Sequence, residues 1–188
     1  MTRIIAGELG GRRLATPPGD RTRPTSDRVR EALFGALSAA RDLSQTRVLD
    51  LYAGSGAVGV EAISRGAAYA MFIESHPKTA GLLRRNLAGL GVSDRAKVVA
   101  ASVPSILAEG ADDPFDVVFA DPPYSLDTDR IGSMLNLLLA HGWLSEDADV
   151  IVERSARDDA LTWPEGLTEM RSRRYGESML WYGRRLWT

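Results

Sequence analysis

The stretch Asp50–Ala62, DLYAGSGAVGVEA, decides the fold. It closes an apolar run, VLDLYA from Val48, and then places glycines at 54, 56 and 59 before a helical pattern running from Ala57 to Arg65. Glycines at that spacing let the backbone turn tightly and approach a ligand at the positive end of the next helix. Outward from this turn, strand and helix alternate. AYAMFIE (68–74), KVVAA (97–101), DVVFA (116–120) and ADVIVE (148–153) read as strands. Helical patterns lie between them, at 78–90, around Ile106 and Leu107, and at 128–140. Short, continuous apolar strands are those of a parallel sheet covered on both faces, and repeated βα units give a doubly wound α/β sheet. Leu167–Tyr175 and Met179–Trp187 flank Gly176-Glu177 and predict a closing hairpin, which makes the sheet mixed and seven-stranded.

Ahead of this domain (23–188), residues 1–22 predict a small basic β-hairpin, with runs Arg3–Ala6 and Arg12–Thr16 around a Glu-Leu-Gly-Gly turn. A helix follows, capped by Thr25 or Ser26, with Val29, Leu33, Phe34 and Leu37 at helical spacing. The 188 residues suit one domain with a short appendage. The absence of cysteine excludes disulfides, thiolate zinc sites and cysteine nucleophiles. No run of about 18 apolar residues is present, and the N-terminus lacks a signal-peptide core, so a cytoplasmic protein is expected. Residues 1–30 hold seven arginines against three acids, on an otherwise acidic chain. That asymmetry suggests a polyanion held by one surface, against the plainer reading of a solvated arginine-rich tail. His76 and His141 have no partners at metal-ligand spacing, so no metal is expected.

The glycine turn suits two ligands. Glu74 follows Gly54 by twenty residues and ends the second strand, where its carboxylate can accept both hydroxyls of an adenosine ribose. A dinucleotide satisfies that pattern, and so does S-adenosylmethionine. Asp50 favours the latter, because a carboxylate repels a pyrophosphate and attracts a sulfonium and an ammonium. Tyr52, Ser55 and Gly56 complete the candidate donor site. The turn looks like the Asp-x-x-x-Gly-x-Gly element of Rossmann-type methyltransferases.

Residues 116–127, DVVFADPPYSLD, strengthen that reading. Ligands of open α/β sheets sit beyond the carboxyl ends of the strands near the topological switch, and Asp121-Pro122-Pro123-Tyr124 falls at that edge. The exocyclic amine of a base is a poor nucleophile because its lone pair is delocalised into the ring. A carboxylate at Asp121 and the carbonyl of Pro122, each accepting one N–H, draw the nitrogen toward tetrahedral geometry. Pro122 and Pro123 fix that arrangement, and Tyr124 offers a flat face to an unstacked base.

The Asp/Asn-Pro-Pro-Tyr motif resembles that of amino-methyltransferases acting on conjugated nitrogen, in DNA, RNA or protein. RIIAGELGGRRL, RPTSDRVREALFGAL, VLDLYAGSGAVGVEAISRGA, ADPPY and RRYGESML together are similar to the RsmD family of 16S rRNA guanine-N2 methyltransferases, over nearly the whole chain. The resemblance implies a donor site at Asp50, Gly54, Gly56 and Glu74, and a guanine held by Asp121 to Tyr124. It implies guanine 966 of the small ribosomal subunit as target, in assembled particles. Related enzymes often place an acid after the third strand to bind the adenine amine; this chain has Ala101-Ser102 there, which leaves Ser102 or backbone groups for adenine. Arg12, Arg13, Arg21, Arg23 and Arg28 are candidate RNA-phosphate contacts, with Arg28 and Arg30 also placed to pair with acids on their own helix. A monomer is expected. The rivals are a DNA adenine-N6 methyltransferase, which needs a larger target-recognition region, an NAD(P)-binding oxidoreductase, which leaves Asp121–Tyr124 unexplained, and a non-catalytic RNA-binding module.

Overall fold

The structure, a computed structural model, describes residues 1–19 and 25–186. Thr2–Arg3 (β1) and Arg13–Leu14 (β2) form an antiparallel hairpin. Asp27–Ala40 (α1) follows, capped by Ser26, whose hydroxyl accepts the Val29 N–H at 3.2 Å. The main sheet contains Arg47–Leu51 (β3), Tyr69–Ile73 (β4), Ala96–Val99 (β5), Phe115–Ala120 (β6), Leu144–Ser155 (β7), Thr168–Tyr175 (β8) and Ser178–Arg184 (β9). Its order is β5-β4-β3-β6-β7-β9-β8, with β9 antiparallel to both neighbours. The connection reverses direction between β3 and β6, so the topological switch lies there.

Ala57–Ser64 (α2), Pro77–Leu90 (α3), Val103–Glu109 (α4) and Thr128–Ala140 (α5) cover the two faces. Leu49, Leu51, Val118, Val150 and Val152 pack against Leu107, Ile131, Leu135 and Leu138 of α4 and α5. On the opposite face Val48, Val117, Phe119 and Ile151 meet Leu33, Phe34 and Leu37 of α1, with Val58 and Ala62 of α2. Period-two alternation along each strand therefore supplies both layers. Ile4, Leu9 and Leu14 of the N-terminal segment bury into a third cluster with Val60, Ile63, Phe72, Leu83 and Leu87.

The hairpin strands are shorter than the predicted runs Arg3–Ala6 and Arg12–Thr16 because side chains take the ladder's place. The Glu61 carboxylate accepts the Ile5 and Ala6 N–H groups at 2.9 and 3.0 Å. Asn86 exchanges two bonds with the backbone of Ala15. Glu61 also meets the fully buried Arg30 at 3.5 Å and Arg65 at 2.9 Å. Deleting one member of such a buried pair costs about 3–5 kcal/mol, since the other charge is left unpaired. The fifth predicted strand starts earlier than expected, at Leu144. Leu144 pairs with Phe115 across a register shift, and Asp147 takes φ 58° before the ladder resumes at Asp149.

Candidate active site

Two turns meet at the switch. The first leaves β3 through Tyr52, Gly54 and Gly56, all at positive φ (58°, 58° and 84°). For Tyr52 that conformation costs about 1–2 kcal/mol, a strain tolerated here at the edge of the site. A Cβ at Gly54 meets no heavy atom within 4 Å, so open space lies over its backbone. At Gly56 the same atom falls 2.2 Å from Leu83 Cδ1, and at Gly59 it falls 2.3 Å from the Phe72 ring. The first glycine thus faces open space, and the later two bring α2 and the turn onto β4 and α3.

Glu74, just past β4, accepts the Gly54 N–H at 2.9 Å with one carboxylate oxygen and the His76 N–H at 3.1 Å with the other. Each oxygen keeps a further lone pair, so the carboxylate is oriented and still able to accept ribose hydroxyls. Asp50 is buried, 2% exposed, and accepts the Gly59 N–H at 3.0 Å. Burial pushes its pKa up to about 8; the Gly59 bond opposes this and the Glu74 charge adds to it. Ser55 is buried and its carbonyl accepts from Asn86. These residues fit an adenosine-bearing cation: a cradle over Gly54, an anchored acceptor at Glu74, and a buried carboxyl that a positive ligand can ionise.

The second turn leaves β6. Leu51 pairs with Ala120, so Asp121 stands at the level of Tyr52 on the adjacent strand. The Pro123 carbonyl accepts the Leu126 N–H at 2.9 Å, closing the turn. Among the described residues the Pro122 carbonyl has no intramolecular donor. Tyr124 is 55% exposed, an aromatic face held open to solvent beside the half-buried Asp121.

Asp121 does not stand alone. Thr25 Oγ1 lies 3.1 Å from Glu153 Oε2 and 3.5 Å from Asp121 Oδ2. Thr25 was one of two predicted caps; with Ser26 capping α1, its hydroxyl joins two carboxyl groups instead. Glu153 is buried on β7. Burial raises the Asp121 pKa well above the usual carboxylate range, with the charges of Glu153 and Asp50 adding to it, while Thr25 and Arg154 oppose. Burial likewise raises Glu153, against hydrogen bonds from Ser178 and Thr25. Arg154 donates to the Leu126 carbonyl at 2.7 Å and pairs with Asp158 at 3.3 Å, tying the Asp121 turn to β7. Its Nη1 is buried without a partner among the described residues.

Sequence reasoning missed Glu153 and Arg154. The signal was present: ADVIVERS ends a buried strand in an acid, as Asp121 ends β6 and Glu74 follows β4. Ser102 lies apart from these carboxylates in role, since its side chain caps α4 through Ser105. Arg12 donates to the Gly89 carbonyl at the end of α3. Arg13 and Arg3 instead line a cleft of about 380 Å³ with Met1, Thr2 and Asp27, at the start of α1. Arg28 is exposed on α1, and Arg21 and Arg23 lie outside the described residues. Among the described residues no helix is long and apolar enough to cross a membrane, and no group of three or more acids and histidines is placed to hold a metal.

A family model described as Conserved hypothetical protein 95 matches residues 2–184. The chain is 40% identical to the ribosomal RNA small subunit methyltransferase D of Escherichia coli K12, over 86% of this chain and 79% of that one. It is 37% identical to the Haemophilus influenzae protein of the same name, over 93% and 89%. Among solved structures, an Escherichia coli protein provisionally described as a methyltransferase superposes with a TM-score of 0.86 at 36% identity, covering 100% of this chain and 99% of that one. A Thermus thermophilus protein without an assigned activity gives 0.76 at 32% identity, covering 97% and 98%.

Proposed function

The chain belongs to the RsmD family, and we propose that it is an S-adenosylmethionine-dependent rRNA methyltransferase acting on the exocyclic N2 of a guanine in 16S rRNA, with guanine 966 as the site. The observation that carries this reading is the placement of Asp121–Tyr124 across the switch from the open cradle at Gly54, one strand away. S-adenosylmethionine supplies an electrophilic methyl group on a sulfonium. Gly54, Gly56, Glu74, Tyr52, Ser55 and Asp50 are the residues that hold it.

Tyr124 stacks the base taken out of the RNA, and the proline turn fixes where its amine arrives. Asp121 and the Pro122 carbonyl accept the two N–H groups and release the lone pair toward the methyl. Alignment of the two reactants supplies much of the rate. The nitrogen becomes acidic once it bears the methyl, so Asp121 receives its proton without being a strong base. On the RNA side, Arg13 and Arg3 line a cleft, shared with Asp27, that offers contacts to phosphate, and Arg28 is exposed on α1.

The test is methyl transfer from labelled S-adenosylmethionine onto small subunits lacking the modification, onto free 16S rRNA and onto DNA, with the modified nucleoside identified by mass spectrometry. N2-methylguanosine from the ribosomal samples is expected. N6-methyladenosine, or label only in DNA, overturns the substrate.

A further inference from the structure

The contact between Asp121, Thr25 and Glu153 is not needed to explain the fold. Thr25 sits 3.5 Å from one carboxyl and 3.1 Å from the other, and all three side chains come from different elements. A hydroxyl carries one proton. It can donate to one carboxyl only, so both contacts are hydrogen bonds when the second carboxyl is protonated and donates to the Thr25 oxygen. Two ionised carboxylates sharing one hydroxyl in a buried site repel each other.

We propose that Thr25 and Glu153 are positioning residues for Asp121, and that the single proton of this chain rests on Glu153 while Asp121 receives the substrate amine. The direction follows from the substrate: the N–H groups of the amine need an ionised acceptor at Asp121 on the open edge, so the proton that the pair shares passes to Glu153, which is 7% exposed. Arg154 also favours the charged form of Asp121, against burial and the charges of Glu153 and Asp50. Thr25 then donates toward Asp121 and fixes which carboxylate oxygen faces the amine. Among the described residues, the groups acting on the pair are Asp50 from β3, Arg154 from β7, and the hydroxyls of Thr25 and Ser178. When the amine is methylated, its N–H proton passes to Asp121 and leaves to water from the open side, restoring the singly protonated pair. This inference rests on the methyltransferase reading for its kinetic test and on the ligand-free protein for its second.

Glu153→Gln cannot lose its donor to Thr25 and should keep the rate at its pH optimum within about threefold. Glu153→Ala and Thr25→Val remove the chain and should each lower kcat by about tenfold or more, with S-adenosylhomocysteine affinity unchanged. Wild type should show an acid limb from Asp121 and a basic limb where the shared proton is lost; the Gln variant should keep the first and lack the second. Equal losses in the Gln and Ala variants, or a basic limb that persists in Gln, overturn the proposal. Infrared spectroscopy of the ligand-free protein at neutral pH provides the independent reading. A protonated-carboxyl band should diminish in Glu153→Gln relative to wild type, the Asp50 contribution being common to both. An unchanged band contradicts the shared proton even if RNA is methylated. A diminished band with no methyl transfer to any RNA refutes the function and leaves the pair standing.

Discussion

The turns after β3 and β6 leave adjacent parallel strands at the same level and are built from opposite materials. The first uses left-handed backbone at Tyr52, Gly54 and Gly56, with open space over Gly54 and the Leu83 side chain packed close against Gly56. The second uses Pro122 and Pro123 to hold an acid and an aromatic ring still. Their carboxyl groups differ in the same way. Asp50 is enclosed and accepts its hydrogen bond from Gly59 within its own turn; among the described residues the half-buried Asp121 side chain reaches only Thr25, on another element. Both are pushed toward the neutral form by burial; the charge of Glu74 adds to this at Asp50, and those of Glu153 and Asp50 add to it at Asp121. A residue type at a strand end therefore does not define a role. Its access to ligand and its intramolecular partners do.

That contrast can be broken most forcefully at Asp121. Asp121→Asn should lower kcat by about 10²–10³-fold, the scale of removing one oriented polar group from a charge-developing site. Calorimetry should find its affinity for S-adenosylhomocysteine within about twofold of wild type. A comparable loss of donor affinity would mean the turns share one role.

Asp50 sharpens the comparison through pH. A cationic donor favours its ionised form, so binding S-adenosylmethionine should expel a proton and tighten by roughly tenfold between pH 6.5 and 8.5. The neutral thioether of S-adenosylhomocysteine should show little of this. Matched titrations of the two ligands across that range give the answer. The sign for stability follows from the same shift: a folded-state pKa of about 8, above the unfolded value near 4, removes stability as pH rises between them. Asp50→Asn should accordingly melt higher than wild type at pH 8.

Gly56→Ala should weaken donor binding by about tenfold and cost about 1–3 kcal/mol, because φ 84° strains alanine and Leu83 must move. Its rate with saturating donor should fall far less. The smallest effect separates two neighbouring arginines. Arg13→Glu should weaken rRNA binding by a few-fold more than Arg12→Glu, since Arg12 is bonded to Gly89 and Arg13 lines the cleft. Filter binding at two salt concentrations distinguishes them.

The sheet was legible because its strands are short apolar runs between helical patterns, and the glycine and proline turns because those residues act locally. The place of Glu74 at the end of its strand was legible, and its bond from the Gly54 N–H is a feature that the spacing did not announce. The failures are long-range. Glu61 replaces the hairpin ladder from 55 residues away, and nothing in RIIAGELGG announces that partner. Thr25 read as one of two candidate caps, of which Ser26 is the one used; its bond to Glu153, 128 residues away, has no local signal. Glu153 stands in sequence as an acid at the end of an apolar run, but its partner does not: the register that pairs Ala120 with Val152 brings its carboxyl beside Asp121.

A double-substitution cycle tests the division between the turns most directly. Donor affinity and single-turnover methyl transfer would be measured for wild type, Gly56→Ala, Asp121→Asn and the double variant. If the turns act independently, the double variant binds donor like Gly56→Ala alone and transfers methyl at saturating donor like Asp121→Asn alone. A donor affinity that falls again on adding Asp121→Asn, or a saturated rate that falls again on adding Gly56→Ala, would contradict the account.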